Sequence, residues 1–177
     1  LKAKDRLIEW LQGKTELGGS ALDIGCGLGD NAELLAQHGY KTTAFDFSPK
    51  AIDWALKRFP NSMVEYHVAD LFDLPKKWLG SFDLVHECYT LQSIPPETLK
   101  RSIPAIASLV KAGGTLLVYS RWRGDGESVD GPPWPLEKTR LMDFADLGFE
   151  LVAREDFILE KSDRAIPHVF CEWRKTD

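Results

Sequence analysis

The sequence predicts an α/β fold: a mostly parallel sheet, helices on both of its faces, and an antiparallel hairpin at one edge. Apolar residues alternate along the chain between period two and period 3.6, so strands and helices take turns as they do in β-α-β units. The last two strand-like segments, "FELVAREDFIL" and "AIPHVFCEWRK", follow one another without a helix, which suits an antiparallel pair. The length of 177 residues, 44% of them apolar, suits a single domain over residues 1–177 with one core.

Each element has a local reason. "KDRLIEWLQG" places Leu7, Ile8 and Leu11 on one helical face, and Gly13 can end the helix. "SALDI" is a short strand. "DNAELLAQHG" repeats apolar residues at Ala32, Leu35 and Ala36, ends in Gly39, and begins with Asp30 and Glu33 in the spacing of a capping box. "KTTAFDF" is a second strand. "SPKAIDWALKRF" is a helix with Ser48 as its cap, Pro49 in its first position, and Ile52, Ala55, Leu56 and Phe59 on one face. In "MVEYHVAD", Val64, Tyr66 and Val68 alternate with Glu65 and His67, which is a strand pattern. "FDLVHE" and "GTLLVYS" are further strands, separated by a helix over "PPETLKRSIPAIASLV" that Pro104 should kink or restart. "RWRGDGESVDGPPWP" predicts a long mobile loop, and "LEKTRLMDFADLG" a last helix.

Composition excludes some classes of function. A net charge of −5, with Lys and Arg dispersed among Asp and Glu, offers no basic stripe for a nucleic acid, so a small molecule is the expected partner. No apolar run approaches the roughly 18 residues of a membrane span, and no signal-peptide pattern opens the chain, so a soluble, cytoplasmic protein without a membrane partner is expected. Cys26, Cys88 and Cys171 are odd in number and far apart, which predicts reduced thiols and neither a disulfide framework nor a zinc site. His38, His67 and His168 lack metal-ligand spacing, so no metal is assigned. The chain begins at Leu1 without an initiator Met, which leaves room for an amino-terminal piece before it.

The segment richest in chemistry is "ALDIGCGLGD". A strand, a glycine turn and a helix start combine backbone N–H groups with a helix dipole, which favours a ligand with polar or anionic edges. The dinucleotide fingerprint G-x-G-x-x-G is not met, because Asp30 stands where its third glycine belongs. The spacing found, Gly25, Gly27 and Gly29 preceded by Asp23, resembles the first motif of the class I S-adenosylmethionine-dependent methyltransferases. Asp46 ends the second strand 17 residues beyond Gly29, where nucleoside-binding α/β folds place an acid for the ribose hydroxyls, unless it serves as a turn or cap residue. The stretch around it, "FDFSP", is also similar to that family, as are "VADLFDLP", "FDLVHECYTLQSIPPE" and "LVKAGGTLLV"; together the matching segments cover roughly residues 20 to 120.

The resemblance implies a Rossmann-like three-layer sandwich with a seven-stranded sheet of order 3-2-1-4-5-7-6, strand 7 antiparallel. It implies S-adenosyl-L-methionine as cofactor, held by Asp23, Gly25, Cys26, Gly27, Gly29, Asp46, Phe47, Asp70, Leu71 and Glu87. In this reading Asp70 takes the adenine amino group, the Leu71 N–H meets the ring, and Cys26 packs beneath the ligand. A sulfonium carries an activated methyl group, so the protein's task is alignment and exclusion of water. Glu87 and Tyr89 are the candidate catalytic residues. Glu87 would hold the donor's ammonium or remove a proton, and Tyr89, with Thr90 and Gln92, would orient the acceptor. His86 falls on the opposite strand face from Glu87 and reads either as a base or as a histidine satisfied under a helix. Asp83, at the wrong end of its strand, is structural. Trp122 and Trp134 serve as a lid or acceptor wall, or simply as packing.

The tail, "GPPWPLEKTRLMDFADLGFELV" with "RAIPHVFCEWRK", looks like the branch of that family acting on thiopurines, thiols, halides and tellurite, although Cys88 stands where the thiopurine enzymes carry an arginine. Three functions stay open: a small-molecule methyltransferase, a NAD-type oxidoreductase that Asp30 disfavours, and a non-catalytic binder of the same nucleoside.

Overall fold

A computed structural model describes residues 4–15, 18–161 and 164–176. Four helices are present among them: α1 (Asp5–Gln12), α2 (Asp30–Gln37), α3 (Pro49–Arg58) and α4 (Leu99–Leu109). The strands are β1 (Ser20–Ile24), β2 (Lys41–Asp46), β3 (Glu65–Val68), β4 (Phe82–Cys88), β5 (Val110–Arg123), β6 (Leu136–Glu137), β7 (Phe149–Lys161) and β8 (Arg164–Lys175). They form one sheet of order β3-β2-β1-β4-β5-β8-β7, with the two-residue β6 paired beside β5. The central pairs are parallel, and β8 runs antiparallel to both β5 and β7. This is the predicted order with one short strand inserted, so the sheet has eight strands where seven were expected.

Strand order reverses between β1 and β4, and the carboxyl ends of these two strands open the crevice in which ligands of such sheets bind. One face of the sheet is covered by α4, whose Ile103, Ile106 and Ala107 join Leu22, Val85 and Leu116 in the larger core. The other face is covered by α1, α2 and α3. There Leu7, Leu11 and Leu35 pack on Ala21, Leu84 and Leu117, while Ala32, Ala36 and Ile52 meet Ala44 and Val64. Both faces of β1 and β4 are therefore dry, and Ala21, Leu22, Ile24, Leu84 and Val85 are all buried on them. Pro104 lies inside α4, which continues through it.

Three local expectations are corrected. The segment "LEKTRLMDFADLG" is not a helix: Leu136–Glu137 join the sheet, and 3-10 turns follow at Arg140–Met142 and Ala145–Leu147. Asp125 accepts hydrogen bonds from both the N–H and the hydroxyl of Thr139, Glu137 pairs with Arg123, and Gly148 in the left-handed region ends the run. The buried pair Leu141 and Phe144, three apart, suits 3-10 geometry. Asp30 and Glu33 make no capping box: Gly29 is the cap residue of α2, without a side-chain cap bond, and both acids bond elsewhere. Val68 is exposed, because β3 is an edge strand. Ser48 caps α3 as expected, accepting from the Ala51 N–H at 3.3 Å.

Phe144 is 1% exposed, with ring centroids of Phe149 and Trp173 each 6.0 Å away. Phe144→Ala removes this wedge between the 3-10 turns and β8, with an expected cost of about 3–5 kcal/mol in urea melts.

Candidate functional site

The three glycines at the β1–α2 corner have different neighbours. All take positive φ, 60° at Gly25, 55° at Gly27 and 88° at Gly29, a region that strains any side chain. A Cβ on Gly25 would collide with the Thr90 hydroxyl, and one on Gly29 with the Tyr66 hydroxyl; over Gly27 there is nothing within 4 Å. Two of the glycines thus make room for the protein's own side chains, and Gly27 alone of the three leaves its main chain bare. Its N–H donates to Asp46 Oδ2 at 2.9 Å, while Asp46 Oδ1 accepts from the Ser48 N–H at 2.8 Å. The carboxylate at the tip of β2 is thereby fixed between the glycine corner and the start of α3.

The acids of α2 brace this corner. Arg58 at the end of α3 grips both carboxylate oxygens of Asp30, at 2.7 and 2.8 Å, and also donates to the Leu28 carbonyl at 2.6 Å. That bidentate pair holds the Asp30 carboxyl below its usual range. The Asp30 charge is thus paired with Arg58. Glu33 accepts from the Tyr66 hydroxyl at 2.8 Å and from the Ser62 hydroxyl at 2.5 Å. Burial, followed by this bond, pushes the Tyr66 phenol upward.

A cavity of about 550 Å³ opens beside the corner. Gly25, Phe45, Asp46 and Phe47 line it from β1 and β2; Ala69, Asp70, Leu71 and Phe72 from the turn after β3; and Cys88, Tyr89, Thr90, Ser93 and Ile94 from β4 and the turn beyond. The structure therefore brings Gly25, Asp46, Phe47, Asp70, Leu71 and Tyr89 of the expected site together around one space. Asp70 Oδ1 accepts from the Phe72 N–H at 2.9 Å, which fixes the carboxylate at the mouth, and Phe47 is 75% exposed at the rim. Phe45, Phe72, Ser93 and Ile94 were not singled out from sequence. Their only signal is adjacency to residues that were.

Asp23, Cys26, Gly27, Gly29 and Glu87 do not line the cavity, although Gly27 is bonded to Asp46, which does. Asp23 and His86 face each other across β1 and β4, 2.7 Å apart from Oδ1 to Nδ1, and both are fully enclosed. His86 bonds Asp23 through Nδ1 alone, leaves Nε2 buried without a hydrogen-bond partner, and does not line the cavity, so it is no base for it. Cys26 is packed under α2 among Ala32, Ala36 and Ile52, and burial raises its thiol far above the reactive range. Cys88 faces the cavity, but burial raises its thiol too, so it is neutral. Gln92 is turned away as well: its side chain accepts from the Arg121 N–H at 2.7 Å, and its carbonyl from the Trp134 N–H at 2.6 Å. Trp134 belongs to a separate cavity of about 310 Å³ that shares Ile94 with the first, and Trp122 packs against the core. Asp83 ties the amino ends of β1 and β4, accepting from the Ser20 N–H and from Lys111, and these bonds hold it at about 2. No cluster of metal-ligating residues occurs among the described residues, and no helix among them is long and apolar enough to cross a membrane.

Glu87 is fully buried on β4, with Oε1 accepting from the Leu91 N–H at 3.0 Å. It braces the turn that carries Tyr89 and Thr90 and does not line the cavity, and its Oε2 is buried without a hydrogen-bond partner. Desolvation pushes its carboxyl up to about 7, against the Leu91 bond that lowers it. Between pH 4.5 and about 7 the folded chain holds this proton more tightly than the unfolded chain does, so stability falls as pH rises through that window and levels off above it. Glu87→Gln keeps the acceptor oxygen and removes the titration. The expected result is a variant whose melting temperature lacks this component of the fall between pH 5 and 7.5, read by comparing the two profiles.

Tyr89, at the end of β4, is the non-glycine residue with positive φ, 67°, among the described residues. Such a conformation persists only where the surroundings over-determine it. The Tyr89 N–H donates to the Tyr119 carbonyl at 3.0 Å, its hydroxyl meets His168 Nε2 at 2.8 Å, and the Lys4 ammonium lies 4.3 Å from its ring centre. The strand order could be anticipated from sequence; this turn could not.

A sheet of this order, with its cavity at the carboxyl edge where the order reverses, is the fold of a class I, S-adenosylmethionine-dependent methyltransferase. Residues 21–114, more than half of the chain, match the family described as the methyltransferase domain, and the chain belongs to that family. It is 35% identical over 115 residues to the ubiquinone biosynthesis O-methyltransferase of Bordetella avium, a match covering 60% of this chain and 45% of that protein. The chain spans less than half the length of the first curated relatives it matches. Among solved structures, a SAM-dependent methyltransferase from Methanosarcina mazei superposes with a TM-score of 0.78 at 20% identity over 99% of both chains. The magnesium protoporphyrin IX methyltransferase of Synechocystis, solved with bound SAM, gives 0.76 at 20% identity, covering 97% of this chain and 77% of that one.

Proposed function

We propose that the protein transfers a methyl group from S-adenosylmethionine to a small-molecule acceptor, with the donor in the cavity beside Gly27. One observation carries the assignment: bare main chain at Gly27, bonded through its N–H to the Asp46 carboxylate that lines the cavity. Asp46 retains lone pairs for two ribose hydroxyls, Asp70 and Leu71 line the cavity and would meet the adenine edge, and Phe47 and Phe72 offer apolar cover. A cavity of about 550 Å³ is within the usual range for such ligands. When bound, the donor supplies an already activated methyl group, and this chain's residues orient the acceptor and exclude water. Asp23 and Glu87 support the strand tips from within the fold, and Tyr89 and Thr90 border the acceptor side.

The acceptor is read as small because no basic stripe is available for a nucleic acid and because the Bordetella avium relative is named for ubiquinone biosynthesis. The soft-nucleophile branch is the second reading, favoured by the tail sequence. Incubation with methyl-labelled S-adenosylmethionine and a panel of phenols, amines, carboxylic acids and thiols, read by mass, tests the activity. Calorimetry with S-adenosylhomocysteine and with NAD tests the site. Tight binding without turnover of any acceptor would favour a non-catalytic binder, and preference for NAD would overturn the proposal.

A further inference from the structure

Resting on that reading, we infer that the second cavity seats the methyl acceptor, that Trp134 is the wall that sets its specificity, and that the acceptor is an uncharged, ring-bearing molecule. The donor proposed above takes the cavity beside Asp46. The second cavity, of about 310 Å³, lies between the start of α4 and the β5–β6 pair, and Ile94 lines both spaces. Ser93 borders the donor side of this turn and Leu91 the other. The body of the acceptor then rests in the second cavity, and its nucleophile meets the donor past the Ile94 side chain. The volume is at the small end of the range for ligand pockets, which suits a compact molecule.

Trp134 is half-buried in this wall and is held in place before any ligand arrives. Its N–H donates to the Gln92 carbonyl at 2.6 Å. Gln92, 3% exposed, is itself tied to β5, its side chain accepting from the Arg121 N–H at 2.7 Å and from the Ser120 hydroxyl at 3.3 Å. A Cβ on Gly131 would overlap the indole, so the glycine lets the main chain lie against that ring. A ring fixed in advance contributes apolar contact without having to be ordered on binding. Leu91, Ile94, Leu99, Pro135 and Leu136 add further apolar surface to the lining.

The charged groups around this space leave no place for an ion. Arg123 pairs with Glu137 at 2.9 Å, and Arg140 with Asp143 at 3.0 Å. Glu97 and Lys100, of opposite sign, stand three residues apart at the start of α4. Cations and acids are thus matched, and a carboxylate or ammonium entering the cavity gives up its water without gaining a counter-ion of its own. A neutral acceptor escapes that cost.

Two phenols that share a ring and differ in charge, para-hydroxybenzyl alcohol and para-hydroxybenzoate, test the choice. With labelled S-adenosylmethionine, kcat/KM is expected to be at least about tenfold higher for the uncharged one. Trp134→Ala should raise KM for the responding acceptor by about tenfold with kcat nearly unchanged, because the indole holds a part of the acceptor remote from the reaction, and Trp134→Phe should recover much of the loss. Affinity for S-adenosylhomocysteine, measured by calorimetry, should change less than about twofold in both variants. A binding readout needs no turnover: with S-adenosylhomocysteine bound, para-cresol is expected to shift the indole N–H resonance of Trp134, identified by its loss in Trp134→Phe, and para-hydroxybenzoate is not. Preferred turnover of the acid, a KM untouched by Trp134→Ala, or an indole resonance that para-cresol leaves in place or that the acid moves equally would overturn the inference alone. Failure of S-adenosylhomocysteine to bind would instead remove the methyltransferase reading on which it rests.

Discussion

Gly27→Val yields a folded protein that has lost measurable affinity for S-adenosylhomocysteine, a drop of about a hundredfold or more by calorimetry. The expected stability cost is moderate. A valine at φ 55° loses about 1–2 kcal/mol to the left-handed conformation, and its side chain meets no protein atom within 4 Å of Cβ. What it fills is the open space over the main chain, through which the proposed donor would approach. Gly29 gives the contrast. Its Cβ would run into the Tyr66 hydroxyl, which is bonded to Glu33, so Gly29→Ala strains the α2–β3 contact and shows first as a loss of stability. Urea melts run beside calorimetry separate the two effects. Unaltered donor binding in Gly27→Val would remove the site assignment.

Asp46→Ala is expected to lose about two orders of magnitude or more in donor affinity while still folding. Both carboxylate oxygens accept backbone N–H groups, from Gly27 and from Ser48, so the substitution strips two hydrogen bonds from the corner as well as the group proposed to meet the ribose. Two half-buried N–H groups left without this partner cost about 1–3 kcal/mol, within the stability of a domain of this size. Asp46→Asn refines the test, because an amide has one accepting oxygen and cannot serve both N–H groups. If Asp46→Asn binds as the wild type does, the carboxylate is a structural brace and the ribose assignment fails.

Gly27 and Asp46 are both legible in the sequence, and for a physical reason. A glycine turn between a strand and a helix, and an acid at the next strand tip, are produced by residues close in sequence, where periodicity and turn chemistry speak directly. What is illegible there depends on partners brought together by the sheet. His86 and Asp23 are 63 residues apart and meet because β4 is laid beside β1, which turns a possible base into a buried pair. Glu87 follows its strand inward and ends as a brace for the turn, contrary to its expected role at the ligand. The segment at 136–148 carries the composition of a helix, but Asp125 and Arg123 claim its first residues from across a loop.

By itself, then, the sequence determined the alternation of strands and helices, the terminal antiparallel pair and the bare backbone at the first corner, since each arises from neighbours within a turn or two of chain. The tertiary structure decided which glycine stays open, which acids are taken up by the protein's own hydrogen bonds, and that Tyr89 rests on His168, 79 residues away. Those outcomes turn on desolvation and on hydrogen-bond partners supplied by other strands, and neither exists until the sheet has closed.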